Sequence, residues 1–226
     1  MSMLRRPMST ERDVLMLAQW LSPAFPVGSF AYSHGLEAAI QSGAIANAPK
    51  LGDWLADVLA HGSGRNDCIL LRAAYAAGGK IERVNHAALA VSASAERVLE
   101  TCLQGDAFNR TTAAIWGGAA LASGEEEPLC YPVAVGQAAA RMGIDIDFTA
   151  VLYLQSFAAN LVSAAVRAVP LGQTEGQGVL AALTPLCSEI ANATRSSTLD
   201  DLAGTAFLSD IVAMHHETLQ PRIFRS

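Results

Sequence analysis

The sequence is poor in charged and aromatic residues. Asp, Glu, Lys and Arg make up 16% of the 226 residues and aromatic residues 6%, whereas about a quarter of a soluble domain is usually charged. The net charge is −6, and no stripe of Lys and Arg occurs. Because binding to phosphate backbones requires a basic surface, this composition argues against a nucleic-acid partner.

Closely spaced cysteine pairs are also absent. The four cysteines are Cys68, Cys102, Cys130 and Cys187. This wide spacing fits reduced, mostly buried thiols in a cytosolic protein. Residues 1–10 contain basic residues but no apolar core behind them, so no signal peptide is expected. We therefore expect a cytoplasmic protein.

The common catalytic motifs are missing. There is no GxxxxGK[ST] loop and no GxSxG turn, which excludes a GTPase and a typical serine hydrolase. Metal binding is the remaining enzyme-like alternative, because His215, His216 and Glu217 are adjacent. Successive helical residues point about 100° apart, so two adjacent histidines would not hold one ion on a helix. A metal-dependent helical enzyme using these three residues stays as the alternative.

The abundant residue types, alanine and leucine, favour helices. Hydrophobic residues make up 51% of the chain, much of it alanine and leucine, which lose little side-chain freedom in a helix. We predict an all-α fold with about ten helices in a single domain spanning 1–226. Such an apolar composition with so little charge also suggests that part of the surface is covered by another protein or a second copy.

Capping patterns and hydrophobic periodicity place the helices. Thr10 with Asp13 and Thr198 with Asp201 form capping-box patterns. Val14, Leu17 and Leu21 are predicted to form the apolar face of the first helix. The predicted helices begin at Thr10 and continue over about 33–42, 49–61, 66–77, 81–91, 94–121, 132–143, 147–170, 179–191 and 198–214.

Three positions receive specific interpretations. Asp147 is predicted to cap the helix that ends at Pro170, and Gly105 is predicted to be a close-packing point or kink. The stretch 150–171 is long enough to span a membrane, but polar residues such as Gln155 and Arg167 interrupt it. We interpret it as a buried central helix and expect no membrane partner.

Four segments are predicted to be non-helical. Residues 1–9 are an N-terminal extension, and Glu125–Glu127 form an acidic loop. Residues 22–33 combine prolines, a glycine and aromatics, which is typical of a shaped loop. Residues 215–226 alternate arginines with Ile223 and Phe224, the composition of a docking tail.

The loop and the tail carry a family resemblance. Residues 21–37, LSPAFPVGSFAYSHGLE, resemble the opening motif of the urease accessory protein F family. The resemblance continues through Gln104-Gly105, AAVRAVPLGQTEGQ (164–177) and the closing HETLQPRIFRS, so it covers almost the whole chain. Ala31 stands where the family often has serine, and residues 218–221 are an irregular version of the closing segment. These departures leave the fine contacts of the tail open.

The resemblance implies a chaperone subunit for nickel insertion, not an enzyme. It implies an all-helical homodimer that binds the accessory protein called D or H and forms a platform for the GTPase called G. GTP bound by that partner would drive delivery of nickel to apo-urease. This chain would bind no cofactor stably, and would supply surfaces and an internal passage for transient nickel.

The family's motifs also imply site residues. The expected partner-binding residues are Phe30, Tyr32, Ser33, His34, Gly35, Glu37, Glu217, Gln220, Arg222, Phe224 and Arg225. Tyr32 is expected to help order the tail. Two narrower hypotheses stay open: His34, His215 or His216 as transient nickel ligands, and Arg222 or Arg225 as a finger that regulates the partner GTPase.

Overall fold

The computed structural model describes residues 10–78, 80–117 and 128–226, and within them the chain is all-α. The described residues form ten α-helices: α1 (Glu11–Trp20), α2 (Leu36–Gln41), α3 (Ala48–His61), α4 (Ser63–Ala76), α5 (Ile81–Ala90), α6 (Ala95–Trp116), α7 (Tyr131–Met142), α8 (Ile146–Ala168), α9 (Gln173–Ala193) and α10 (Phe207–His216). Short 3₁₀ turns lie at Ser29–Ala31, Thr194–Ser196 and Leu199–Asp201. Three features proposed from the sequence lie outside these residues: the N-terminal extension, the acidic loop and the predicted end of α6 at 118–121.

The predicted capping box at the start of α1 is confirmed. The side chain of Thr10 accepts from Asp13 N at 3.2 Å, and Asp13 Oδ2 accepts from Thr10 N at 2.8 Å. The predicted apolar face is only partly right, because Leu17 is buried whereas Val14 is 41% exposed. Trp20 completes the buried face instead.

The predicted cap of the long helix α8 is wrong by two residues. Asp145 caps it, accepting from Phe148 N at 2.8 Å, while Asp147 pairs with Arg72 and Arg195. Asp147 therefore ties α8 to α4 and to the 3₁₀ turn Thr194–Ser196 that follows α9. α9 also begins earlier than predicted, at Gln173, since Glu175 caps the backbone of Gly172.

The predicted last helix is shorter than expected. Thr198 and Asp201 do form a capping box, but it closes only the 3₁₀ turn Leu199–Asp201. Residues 202–206 have no regular secondary structure, and α10 begins at Phe207. His215 and His216 belong to this helix, so the non-helical tail is residues 217–226.

The core forms between α4, α7 and α8, with α3 and α9 packed beside them. α8 is long and apolar enough to cross a membrane by length and composition alone, but 56% of its most apolar window is buried inside the protein. Its buried side includes Leu154, Ala158 and Leu161. α8 is therefore the central core helix, as the sequence indicated.

Gly105 is a close-packing point between α6 and the start of α7, as predicted. A Cβ added there would lie 1.8 Å from the carbonyl oxygen of Leu129 and 2.8 Å from the carbonyl carbon of Cys130. Backbone atoms cannot move aside as a flexible side chain can. Only glycine therefore lets α6 approach this segment so closely.

We predict that Gly105→Ala destabilises the protein by about 3 kcal/mol or more, because the added methyl group forces α6 away from Leu129. Urea unfolding followed by circular dichroism measures this loss. The matched control is Gly178→Ala on α9, where an added Cβ meets nothing within 4 Å. This control should be neutral or stabilising by up to about 1 kcal/mol. Equal effects at the two positions would contradict the packing argument.

Candidate partner-binding site

The carboxylate of Glu37 on α2 holds the backbone of the tail. Glu37 is 2% exposed. Its Oε1 accepts from Ile223 N at 2.7 Å, and its Oε2 accepts from Phe224 N at 2.9 Å. Oε2 also lies 3.2 Å from Nε2 of His216. A buried carboxylate requires such partners, so the tail and the end of α10 compensate its burial.

A left-handed backbone turn aims α2 at this position. His34 and Gly35 have φ values of 56° and 77°. A Cβ on Gly35 would lie 2.7 Å from the backbone of Ala213 on α10. Gly35 therefore serves both the left-handed conformation and the close approach of α10, and this turn delays the start of α2 to Leu36.

The end of the tail is bound to the preceding loop. The carbonyl oxygen of Ser226 accepts from both the backbone N and the Oγ of Ser33, at 2.7 and 2.5 Å. Arg225 N donates to the carbonyl oxygen of Ala31 at 2.8 Å. The 3₁₀ turn and the tail therefore run side by side, joined by backbone hydrogen bonds.

The first turns of α6 bind the tail from the other side. Glu96 contacts Nδ1 of His216 at 2.7 Å and pairs with Arg222. Glu217 accepts from Ala95 N at 2.8 Å, which satisfies an otherwise unpaired amide at the helix N-terminus. The tail is therefore held between α2 and α6.

Glu100 extends this contact into the interior. Its carboxylate accepts from Ser226 Oγ at 2.5 Å and lies 2.8 Å from His34 Nε2. It also pairs with Arg97. Although burial alone would raise the pKa of Glu100, the charge of Arg97 and the hydrogen bonds from His34 and Ser226 hold it at about 2. Burial, followed by the charge of Arg97, lowers the pKa of His34 despite the opposing effect of Glu100.

Asp67 on α4 lies close to this cluster. The hydroxyl of Tyr153 donates to Asp67 Oδ2 at 2.8 Å. Burial raises the pKa of Asp67 to about 6, against the opposing effects of Arg97 and of the Tyr153 hydrogen bond. His34, Asp67 and Arg97 form a wall shared by two small cavities of about 30 and 60 Å³.

The residues predicted from the sequence divide into a buried and an exposed set. Tyr32, Ser33, Glu37 and Phe224 are buried, and they shape or hold the loop and tail. Gly35 and His34 set the backbone turn. The exposed set consists of Phe30, Glu217, Gln220, Arg222 and Arg225. Ile223, which the sequence-based site list omitted, is the most exposed large apolar residue of the tail at 70%.

The three histidines proposed for metal binding occupy separate environments. His215 is exposed on α10, while His216 is buried with its two ring nitrogens facing Glu37 and Glu96. His34 contacts Glu100 instead. Within residues 10–78, 80–117 and 128–226, no group of three or more His, Cys, Asp or Glu residues could hold a metal ion.

α10 also exposes an apolar face. Four large apolar side chains on this one helix are between 48% and 67% exposed: Phe207, Leu208, Ile211 and Met214. A row of this kind differs from the scattered apolar residues common on protein surfaces. The face lies on the helix that packs against α2 and α6, which hold the tail.

Over the residues that the structure describes, the fold and this site define a helical protein in which a shaped loop, α2, α6 and α10 position the C-terminal tail. The surface formed by the loop, α10 and the tail is thus built from residues that are distant in the sequence.

The chain belongs to the urease accessory protein UreF family. The UreF family model matches residues 45–184. The urease accessory protein UreF of Ruegeria pomeroyi is 50% identical over 219 residues, which cover 96% of this chain and 98% of that protein. The UreF of Roseobacter denitrificans is 52% identical over 220 residues, covering 97% and 96%. The UreF of a Cereibacter sphaeroides strain is 50% identical over 215 residues, covering 95% and 99%.

We predict that Glu37→Gln loosens the tail while leaving the helices intact, because the substitution removes the charge that strengthens two buried backbone hydrogen bonds. Charge-assisted hydrogen bonds contribute about 1.5–3 kcal/mol each, so amide exchange at Ile223 and Phe224 should accelerate at least about tenfold. Hydrogen–deuterium exchange measures this change. The control, Glu82→Gln at an exposed position on α5, should leave it unaltered. Unchanged protection in the Glu37 variant would mean that apolar contacts alone hold the tail.

We predict a pH-dependent stability difference for Asp67→Asn. Because burial raises the pKa of Asp67 to about 6, the folded protein retains this proton up to about pH 6, whereas the ordinary pKa of an aspartate is 3.8. Asp67 therefore contributes stability that is complete below about pH 4 and is lost as the pH rises through about 6. The free energy of unfolding of the unsubstituted protein, relative to the variant, should fall by about 3 kcal/mol over this window.

Urea titrations at several pH values from 4 to 7.5 measure this difference. Asp53→Asn, at an exposed position on α3, is the control and should follow the unsubstituted protein closely. Parallel pH profiles for the Asp67 variant and the unsubstituted protein would contradict the assignment of a raised pKa to Asp67.

Proposed function

We propose that this protein acts in urease maturation as a non-catalytic chaperone subunit. It assembles with the accessory protein called D or H and with the GTPase called G, and the complex inserts nickel into apo-urease in the cytoplasm. Membership of the UreF family and the relatives named urease accessory proteins support this role. The finer assignment of partners rests on the loop and tail described above.

The tail carries the proposal because it has a buried side and an exposed side. Phe224 and Ser226 are 3% and 2% exposed, while Ile223 is 70% exposed and Arg225 is also exposed. The buried residues anchor the tail to its own chain. The exposed apolar and guanidinium groups are then held in place for a partner, a combination common at interface hot spots.

The buried residues of the predicted site act indirectly in this proposal. Ser33 and Glu37 bind the tail and Tyr32 is buried in the loop, so a partner meets a preorganised surface. Preorganisation lowers the ordering cost of binding. Phe30, which is 67% exposed, lies next to Ala31, the residue that accepts from Arg225 N, and so extends the exposed surface beyond the tail.

Nickel is cargo of the complex in this proposal, and GTP is bound by the partner. His34, His215 and His216 are in separate environments and do not converge on one ion. Any contact with nickel is therefore transient. A regulatory effect on the GTPase would act through Arg225, because Arg222 is paired with Glu96.

A homodimer that also binds the D/H partner requires a second binding surface in addition to the loop and tail. The apolar face of α10 supports the proposal that this protein functions within an assembly. A row of exposed apolar side chains is stabilised when another protein chain packs against it. It also agrees with the low charge content of the chain.

We predict that the double variant Ile223→Ala, Arg225→Ala loses co-purification with the D/H and G proteins while its tail stays docked. Both side chains are exposed, so their truncation removes contacts to a partner and not contacts within the chain. Hot-spot residues contribute about 2–4 kcal/mol, so affinity should fall at least about 30-fold. Pull-down from cells expressing all three proteins, followed by light scattering, measures the complex.

The matched control is Leu15→Ala with Arg12→Ala on α1. These residues are also an exposed apolar residue and an exposed arginine, and Leu15 is 65% exposed. The control should assemble normally. A ternary complex that forms as well with the tail variant as with the unsubstituted protein would reject the tail as the docking element, without contradicting family membership.

A further inference from the structure

The fold brings together two cysteines that are far apart in the sequence. Cys102 lies on α6, and Cys130 is the N-cap residue of α7. A hydrogen bond with the Cys102 side chain is the largest cause that raises the pKa of the Cys130 thiol, so the two side chains are neighbours. Cys130 is fully buried, whereas Cys102 is partly exposed. One member of the pair is therefore accessible to a small reagent, and the other is shielded from solvent.

The backbone around the pair is tightly held. The Cβ position of Gly105 overlaps the carbonyl of Leu129, which shows how closely α6 approaches this segment. Tyr131 N donates to Thr101 Oγ1 at 3.0 Å, and Cys130 N donates to Asn85 Oδ1 at 2.7 Å. The segments that carry the two thiols are thus held side by side by packed elements, which gives the thiols a high effective concentration relative to each other.

We propose that Cys102 and Cys130 are a modification site at which a low-molecular-weight disulfide, such as oxidised glutathione, forms an intramolecular disulfide bond. First, the thiolate of Cys102 attacks one glutathione sulfur, and one glutathione leaves as a thiolate. The thiol of Cys130 then loses its proton to solvent, and its sulfur attacks Sγ of Cys102 and releases the second glutathione. The two protein thiols are oxidised, and one oxidised glutathione is reduced to two molecules of glutathione.

The order of attack follows from the environments of the two thiols. Cys102 is the more accessible, so it meets the reagent first. Its hydrogen bond with Cys130, together with burial, raises the pKa of the Cys130 thiol. Once Cys102 carries glutathione, its thiolate no longer opposes ionisation of Cys130. The first step therefore removes the largest cause of the raised pKa and prepares the second step.

The other two cysteines provide internal controls. Cys68 is buried on α4 with its sulfur 3.1 Å from Thr194 Oγ1, and Cys187 is buried on α9. Burial protects both from the reagent. The disulfide would join α6, which binds the tail through Glu96 and Glu100, to the start of α7. The proposal does not depend on the proposed role in urease maturation.

Peptide mapping of the folded full-length chain tests the proposal. The protein is incubated in glutathione buffers of increasing oxidised fraction, alkylated, and digested with trypsin without reduction. Trypsin places each cysteine in a separate peptide: 66–72, 98–110, 111–141 and 168–195. The linked pair 98–110 with 111–141 should appear at least about tenfold more abundantly than any pair that contains Cys68 or Cys187, and dithiothreitol should remove it.

Two variants and an oxidation in urea test whether the linked pair is specific to the folded protein. Cys102→Ser should abolish the linked pair and leave Cys130 alkylated only after unfolding, whereas Cys68→Ser should leave the linked pair unchanged. Oxidation in urea should lose the preference for this pair. If glutathione stays on Cys102 without transfer to Cys130, or if other pairs form equally in the folded protein, the proposal is overturned.

Discussion

The burial of the Glu37 carboxylate is the interaction on which the arrangement of the site depends. A carboxylate removed from water costs several kcal/mol unless hydrogen bonds replace those to water. At Glu37 these bonds come from Ile223 N, Phe224 N and His216. The tail is therefore an integral part of the fold. It supplies the groups that make the burial of Glu37 tolerable, and removing it would leave a buried charge with few partners.

Three other features of the structure serve the same contact. The left-handed turn at His34 and Gly35 directs the start of α2 so that Glu37 faces the tail, and the missing Cβ of Gly35 admits α10. α10 in turn presents His216 between Glu37 and Glu96. Each element contributes a group that the others need, which is why the site joins segments from both ends of the chain.

The sequence pattern was sufficient for the helical class and most helix positions, because hydrophobic periodicity and local capping report on these features directly. The non-helical loop and tail followed from their composition, while docking of the tail to a partner stays a prediction. The helix prediction failed where a capping pattern starts a shorter element than expected. The capping box of Thr198 starts a single 3₁₀ turn and not the long helix that was predicted. Glu96, Arg97 and Glu100 were not recognised as site residues. Charged residues within a helical segment look like a solvated face, and only the fold shows that Glu96 and Glu100 meet Arg222 and Ser226. Asp67 was missed for the same reason.

The hydrogen bonds that hold the tail also determine which of its residues are buried and which are exposed. At the end of the tail Phe224 and Ser226 are buried, whereas Ile223 and Arg225 are exposed, so inward-facing and outward-facing side chains alternate. The backbone hydrogen bonds to Glu37, Ala31 and Ser33 fix this alternation in register. A slip of one residue would bury Arg225 and expose Phe224, with a large loss of free energy. The same bonds that stabilise the fold therefore determine which side chains reach the surface, and a change in the buried half alters the exposed half even where the two do not touch.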